Sequence, residues 1–522
     1  MANNIKNIIR QPTTLLALYV FVVLFFVSID SYTHNLLGRT ESAFLFTGGK
    51  AWMNGMIPYC DFGGSRGPLL WLIYGIGYLI SPFNYTGIFW LSFLMYAVIY
   101  YYIYRTAYIF LKDDYRSILC TILLTLSFFN PWFHYEMRGE EWCLFFVTIA
   151  LYKSCSMIYD KKSETKFKVS FFYLGICFAA ITLIKISVAF MFSSIIVYCF
   201  YYIIQESKSL LSTIGSFICG LLIILTPCFL YMSMEGNFAA FFHEYFIPEI
   251  RDTFNSFDIS QYIHNYMATL TQPVKASLFI LSMIGCIMMA ISTNKFRLFF
   301  FFHFLSFYSV AIYSCTDTNY PLSICLISPL WFIIGMMPKT NTISKNRYRA
   351  TIPTIVLAFT ILFNYTYTNG YILSNLIFYG EPIAEEDNKN PDGHFISNLF
   401  FTGTQQKEDF QNIGQIMSQI SKPTFICYMM DDEGYGILAN ALPGAKCWAG
   451  QSSVSIDWDS ILISQKPDFV IIDDANEIPI TEKESVLRSA GYTKSYSYKT
   501  LTRRVVLFTK HKLRISTYNS QV

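Results

Sequence analysis

Long apolar runs separated by short polar links fill the first 369 residues of the chain. A helix needs about 20 mostly apolar residues to cross the hydrocarbon core of a membrane. By that measure the pattern predicts eleven crossings, near 14–29, 86–104, 117–131, 142–159, 169–184, 187–204, 212–232, 275–292, 297–314, 320–337 and 350–369. The run 68–80 is apolar but shorter, opens with Pro68 and contains Gly75 and Gly77, which predicts a re-entrant or interfacial helix. Between 233 and 273, Phe238, Phe241, Phe242, Tyr245, Phe246 and Ile250 recur at spacings of three and four, which predicts an aromatic-faced helix lying flat on the membrane surface. Beyond residue 370 the pattern changes. Strand-like runs at 424–428, 467–473 and 504–508 alternate with helical stretches at 437–439, 460–463 and 484–490, predicting a mostly parallel sheet in a small α/β unit. The predicted organisation is a polytopic α-helical membrane domain over 1–369, a linker over 370–407 and a soluble α/β domain over 408–522.

Charge placement gives the helices a sidedness. If 68–80 does not cross, the basic links at Lys6 and Arg10, Arg105 to Arg116, Lys161 to Lys168, Lys208, Lys295 and Arg297, and Lys339 to Arg349 all fall on one side, the cytoplasmic one. An odd number of crossings then puts the N-terminus inside and the tail outside. No small-residue cleavage site precedes Asp30, so no cleavable leader is expected. Only 14% of residues are charged, against roughly 25% in ordinary soluble proteins, which excludes a chain soluble throughout. The formal net charge of +3 excludes a nucleic-acid surface. Residues 370–522 carry 14 basic and 18 acidic side chains, so the tail is acidic and the membrane part mildly basic. Most cysteines stand singly in apolar sequence and read as small hydrophobes; Cys427 and Cys447 could pair only in an oxidising compartment, and their lack of patterned spacing argues against it.

The chain has no Walker motif, zinc-ligand spacing, nucleophile elbow or dinucleotide fingerprint. Its candidate chemistry lies in acids and bases at the outer membrane face. The first outer loop offers Glu41, then Gly55-Met56-Ile57-Pro58-Tyr59-Cys60-Asp61, then Arg66-Gly67-Pro68 at the mouth of the short helix. The second packs His134, Glu136, Arg138, Glu140 and Glu141 into eight residues at a membrane boundary. Lys185 stands alone between two apolar spans, where a cation is costly unless paired or hydrated. Solvated loop charges, helix-end charges meeting headgroups and a snorkelling lysine are the plain readings of these three features.

Taken in order, the first-loop acid, the Gly-x-x-Pro-Tyr-x-Asp run, the basic-Gly-Pro before a short apolar helix, the Arg-x-acid loop and the lone lysine resemble the GT-C superfamily. These are polytopic glycosyltransferases that include protein O-mannosyltransferases and lipid A aminoarabinose transferases. The resemblance covers about 350 residues and implies a sugar donor carried on a polyprenyl phosphate. By position, Glu41 matches the acid that acts at the acceptor and Arg66 the basic residue that contacts the lipid phosphate. Glu140 matches the acid of the Arg-x-acid loop that Arg138 opens, and Lys185 the lysine near the donor phosphate. Glu41 stands where Asp is commoner, and Arg66-Gly67-Pro68 replaces Lys-Pro-Pro or Lys-Gly-Pro.

The expected reaction takes a proton from an acceptor hydroxyl onto Glu41 while Arg66, Lys185 and Arg138 stabilise the departing phosphate. One base with no covalent carboxylate nucleophile implies inversion at the anomeric carbon. Asp61 and Glu140 would orient hydroxyls or, in a lesser role, hold a divalent cation. The acceptor is a glycan, a membrane lipid or a protein, and the expected setting is the bacterial inner membrane with a periplasmic site. Three other readings stand beside this one: a transporter or flippase of a lipid-linked or small polar substrate, a polytopic polysaccharide polymerase or ligase, and a membrane anchor that presents the tail. Transporters usually show internal repeats, and this chain has none.

Overall fold

The computed structural model describes residues 11–28, 31, 40–64, 66–128, 138–160, 164–206, 209–248, 250–251, 260, 263–264, 267, 273–304, 327–337, 355, 404–428, 434–449, 458–473, 480–499 and 504–513. Two compact units emerge. One comprises Met1–Ser28, Trp90–Met234 and Phe246–Tyr365, and the other Ile29–Phe89, Glu235–Tyr245 and Thr366–Val522.

In chain order the first helices are α1 (Pro12–Val27), α2 (Thr40–Met53), α3 (Pro68–Ile80), α4 (Thr86–Leu111) and α5 (Asp114–Leu124), which tightens into a 3-10 turn over Thr125–Phe128. Then come α6 (Gly139–Tyr159), α7 (Glu164–Ile184), α8 (Ile186–Gln205), α9 (Leu210–Met234) and the short α10 (Phe238–Phe241). The last helices before the tail are α11 (Pro273–Ser292), α12 (Arg297–Phe304) and α13 (Leu330–Met336). Among the described residues α4, α6, α7, α8 and α9 are long and apolar enough to cross a membrane. The chain is a multi-pass membrane protein. Residues 305–326, which fall in the predicted crossings 297–314 and 320–337, and all of the predicted crossing 350–369 but residue 355 lie outside the described residues, so α12 and α13 are the described parts of the first two.

Side-chain contacts orient the helices of the membrane unit. Tyr96 and Arg105 of α4, and Lys112 just past its end, meet Glu141, Tyr152 and Tyr159 of α6 in that order, so the two run the same way. Ser154 of α6 bonds Cys199 of α8, and the Ile158 carbonyl accepts from Tyr202, so α8 follows them. Helix α7 runs opposite, with Phe167 stacked on Tyr202 and Phe171 tilted against Phe200. Gly175 and Gly220 let α7 and α9 touch through their backbones: a Cβ on either would lie 2.1 Å from a carbonyl oxygen of the other helix. Small residues serve this purpose where helices meet in lipid. Only Thr213, Gly220 and Met232 of α9 are buried, and Leu211, Leu222 and Leu230 are exposed, as suits a helix facing hydrocarbon.

In the second unit α2 and α3 pack backbone to backbone, since a Cβ on Gly49 would lie 2.4 Å from the Gly75 amide nitrogen. Helix α3 has the predicted bounds 68–80. The tail adds α14 (Thr404–Met417), which starts inside the predicted linker, then β1 (Thr424–Cys427), α15 (Tyr435–Leu438), β2 (Leu442–Pro443), α16 (Trp458–Ser464), β3 (Phe469–Asp473), α17 (Ile480–Ser489), β4 (Thr493–Lys499) and β5 (Arg504–Thr509). Its five strands lie in the order β2-β1-β3-β5-β4. Strands β2, β1 and β3 pair parallel, but β5 runs antiparallel to both β3 and β4. The expected mostly parallel sheet is therefore a mixed one. Four residues separate β4 from β5, too few for the crossover that parallel strands need.

One other expectation is corrected. The aromatic face of 238–250 does not lie flat on a membrane as one helix: α10 ends after four residues and passes into a π turn over Phe242–Phe246. Phe241 and Tyr245 are fully buried, Phe241 5.4 Å from the Tyr59 ring. Cys427 and Cys447 are free thiols.

Candidate functional site

The membrane unit brings Glu140 and Lys185 together. Lys185 is the single residue between α7 and α8, extended at φ −155°, and these helices form an antiparallel hairpin that turns on it. Because α6 and α8 run together and α7 against them, the start of α6, the end of α7 and the start of α8 meet at this one membrane boundary. Glu140, in the first turn of α6, is 2% exposed and its Oε1 pairs with the Lys185 ammonium. An acid in a first helical turn also meets the positive end of the helix dipole. Glu141, equally buried, accepts from the Tyr96 hydroxyl at 2.9 Å. Arg138 caps α6 through its carbonyl, which accepts from the Glu141 and Trp142 amides, and its buried guanidinium lies within electrostatic reach of Glu140. His134 and Glu136 lie outside the described residues.

The other unit joins Glu41 to Arg66. Glu41 opens α2, and its Oε1 lies 3.2 Å from Arg66 Nε. Both side chains are partly exposed, at 18% and 26%. The Arg66 carbonyl accepts from the Tyr59 hydroxyl at 2.7 Å, which ties the loop before α3 to its own earlier turn. Tyr59 adopts φ +65°, a left-handed conformation costly for an aromatic residue and held here by complete burial. Asp61 is exposed and closes that turn, accepting from the Ile57 amide at 2.7 Å. No described group brings three or more His, Cys, Asp or Glu side chains into a metal-binding cluster.

What holds Glu41 and Arg66 was not read from the sequence. Phe44, one turn along α2, stacks on Trp448 of the tail at 4.3 Å and 9° between ring planes. Trp71 of α3 and Phe62 complete an aromatic cluster with them. Lys50 of α2, fully buried, donates to the Gly436 carbonyl at 2.6 Å. The Gly63 amide donates to the Lys446 carbonyl, and the Lys446 ammonium pairs with Glu244 at 2.8 Å. The first loop, the segment after α9 and the tail thus interlock. The spacing of Lys50 from Glu41 and the tail's buried tryptophan carry no pattern that a single sequence exposes.

No protein-family model and no curated protein sequence matches the chain. Its structure is similar to that of ArnT from Cupriavidus metallidurans bound to undecaprenyl phosphate, with TM-score 0.56 and 12% identity over 95% of this chain and 98% of that one. The apo form of the same protein gives TM-score 0.53 at the same identity and coverage. The likeness spans both chains almost from end to end, membrane helices and tail together, and at that identity it is a likeness of fold. The order of loop motifs led us to expect a polytopic fold of this kind, and the likeness to ArnT agrees with that expectation at the level of fold.

Proposed function

We propose that the chain is an integral-membrane glycosyltransferase that moves a sugar from a polyprenyl-phosphate donor to an extracytoplasmic glycan, lipid or protein acceptor, with inversion. The observation that carries this reading is Lys185: a cation fixed by a buried carboxylate where three helix ends meet at the membrane boundary, on a fold shared with a protein solved with undecaprenyl phosphate. In the reaction the acceptor oxygen attacks the anomeric carbon and its proton passes to Glu41. The bond from that carbon to the phosphate oxygen breaks, and the phosphate departs with the electron pair. An anionic leaving group needs cations rather than an acid, and fixed positive charge away from bulk water is effective in that role.

Arg66 and Lys185 supply the positive charge in this reading, Arg138 adds to it, and Glu140 positions the Lys185 ammonium. Arg66 pairs with Glu41. A phosphate that draws the guanidinium toward itself would release the Glu41 oxygens to accept the acceptor's proton. Asp61 holds the turn that leads to Arg66 and stands ready to orient an acceptor hydroxyl.

The test is transfer of radiolabelled sugar from a panel of polyprenyl-phosphate sugars in membranes that hold the wild-type chain or Glu41→Gln at matched expression. Transfer by the wild type and its loss in the variant supports the reading. Equal transfer by both removes Glu41 from the mechanism. NMR of the product tests inversion, and a retained anomeric configuration refutes it.

A further inference from the structure

At the far ends of the same membrane helices, away from Lys185, lies a second cationic cluster. Arg105 of α4 donates to the Tyr101 hydroxyl at 2.8 Å and to the Tyr152 hydroxyl at 3.1 Å. Lys153 of α6 sits with its ammonium 4.0 Å from the Tyr173 ring centroid and 5.9 Å from that of Tyr152. The Arg105 guanidinium carbon is 5.5 Å from the same Tyr152 ring, so the two cations flank one aromatic. Both side chains are half-buried within spanning helices. Neither pairs with a carboxylate among the described residues. Of the acids at this end, Asp113 is engaged by Arg116, Asp114 by Tyr104, Asp160 by Lys166 and Glu164 by Lys168, while Glu206 at the end of α8 is engaged elsewhere. The Lys153 ammonium has ring faces beside it and no hydrogen-bond acceptor among the described residues.

Depth narrows what such a cluster can bind. Lys153 lies six residues before Tyr159, and Arg105 seven before Lys112, whose ammonium sits 4.0 Å from the Tyr159 ring centroid. At 1.5 Å per residue the two cations are about 9–10 Å inside the helix ends, near the junction of acyl chains and headgroups. An uncompensated cation there is costly, and basic pockets between membrane helices take up lipid headgroups. We infer that Arg105 and Lys153 form a binding site for the phosphate of an anionic phospholipid in the leaflet opposite the Glu140–Lys185 end. Arg105 offers a planar donor pair and Lys153 three unclaimed donors, while the tyrosine rings face the lipid chains. This site stands whether or not the chain transfers a sugar.

The test reconstitutes the full chain in nanodiscs of equal phosphatidylglycerol and phosphatidylcholine, strips it into mild detergent and counts retained lipid by native mass spectrometry. The wild type retains phosphatidylglycerol in preference, and R105Q/K153Q loses the preference, by about fivefold for each cation removed. R105K/K153R keeps both charges and retains the lipid. An unchanged preference in R105Q/K153Q overturns the inference. So does loss of the lipid from R105K/K153R, which would trace the effect to packing. Displacement of phosphatidylglycerol by millimolar inorganic phosphate also overturns it, because the ligand would then be a soluble anion.

Discussion

The Glu140–Lys185 and Glu41–Arg66 pairs have the same chemistry and opposite support. Lys185 and Glu140 sit at the ends of three long helices, and the acid is almost wholly buried. Apolar sequence alone dictates where those helices end, so the pair is fixed by the same physics that makes the spans. Glu41 and Arg66 are partly exposed on a short helix and a loop, and distant chain holds them through Phe44 on Trp448 and Lys50 on Gly436. One pair is set by local sequence and the other by tertiary packing. Mutations should therefore separate stability from activity differently in the two.

The largest effect expected is at Glu41. In Glu41→Gln, transfer should fall by about 10²–10⁴-fold if the carboxylate is the base, with little change in melting temperature because the pair is partly exposed. A large drop in melting temperature would erase the contrast between the two pairs. Next comes Lys185→Met, which leaves a buried carboxylate without its cation and should cost about 3–5 kcal/mol, read as a lowered thermal midpoint in detergent. Adding Glu140→Gln should restore stability and leave transfer abolished. Failure of that rescue would mean that Lys185 supports the helix junction by something other than the pair.

Trp448→Ala should cost about 3–5 kcal/mol, confined to the tail and first loop, and amide exchange should rise around Phe44 and Trp71 while α6 to α8 stay protected. Uniform loss of protection would show the two units to be one cooperative block. The smallest effect is expected at Asp468. Burial pushes its carboxyl up, but the Thr424 amide and hydroxyl and His511 donate to it and hold it below the usual carboxylate range. A depressed carboxyl stabilises the tail above its unfolded value of about 4, and the gain is lost as pH falls through the folded value. Asp468→Asn should lower tail stability by about 1 kcal/mol at pH 7 and flatten its loss below pH 4, seen by circular dichroism of acid titrations.

Hydrophobic runs made the membrane part legible. The expected spans 169–184 and 187–204 are α7 and α8 to within a few residues, and 68–80 is α3. Lys185 was conspicuous because a cation between two apolar runs has few places to go. Helix α2 was hidden, since its small residues Gly48 and Gly49 read as loop yet serve close packing against Trp71 and Gly75. Strand β4, Thr-Lys-Ser-Tyr-Ser-Tyr-Lys, was hidden too, because an edge strand with polar residues on its outer face lacks an apolar run. Of the site, the acids and cations were legible as types. Their pairing was not, because Glu41–Arg66 depends on tail residues some 400 positions away.

The hairpin that turns on Lys185 leaves the chain no slack. One added residue between Ile184 and Ile186 would lengthen this one-residue turn by up to about 3.5 Å and move the Lys185 ammonium or the start of α8, whose register Cys199 on Ser154 and Tyr202 on the Ile158 carbonyl hold. One fewer would remove the cation itself. The junction is thus a fixed register mark of the chain, where a change of length is felt by two helices at once.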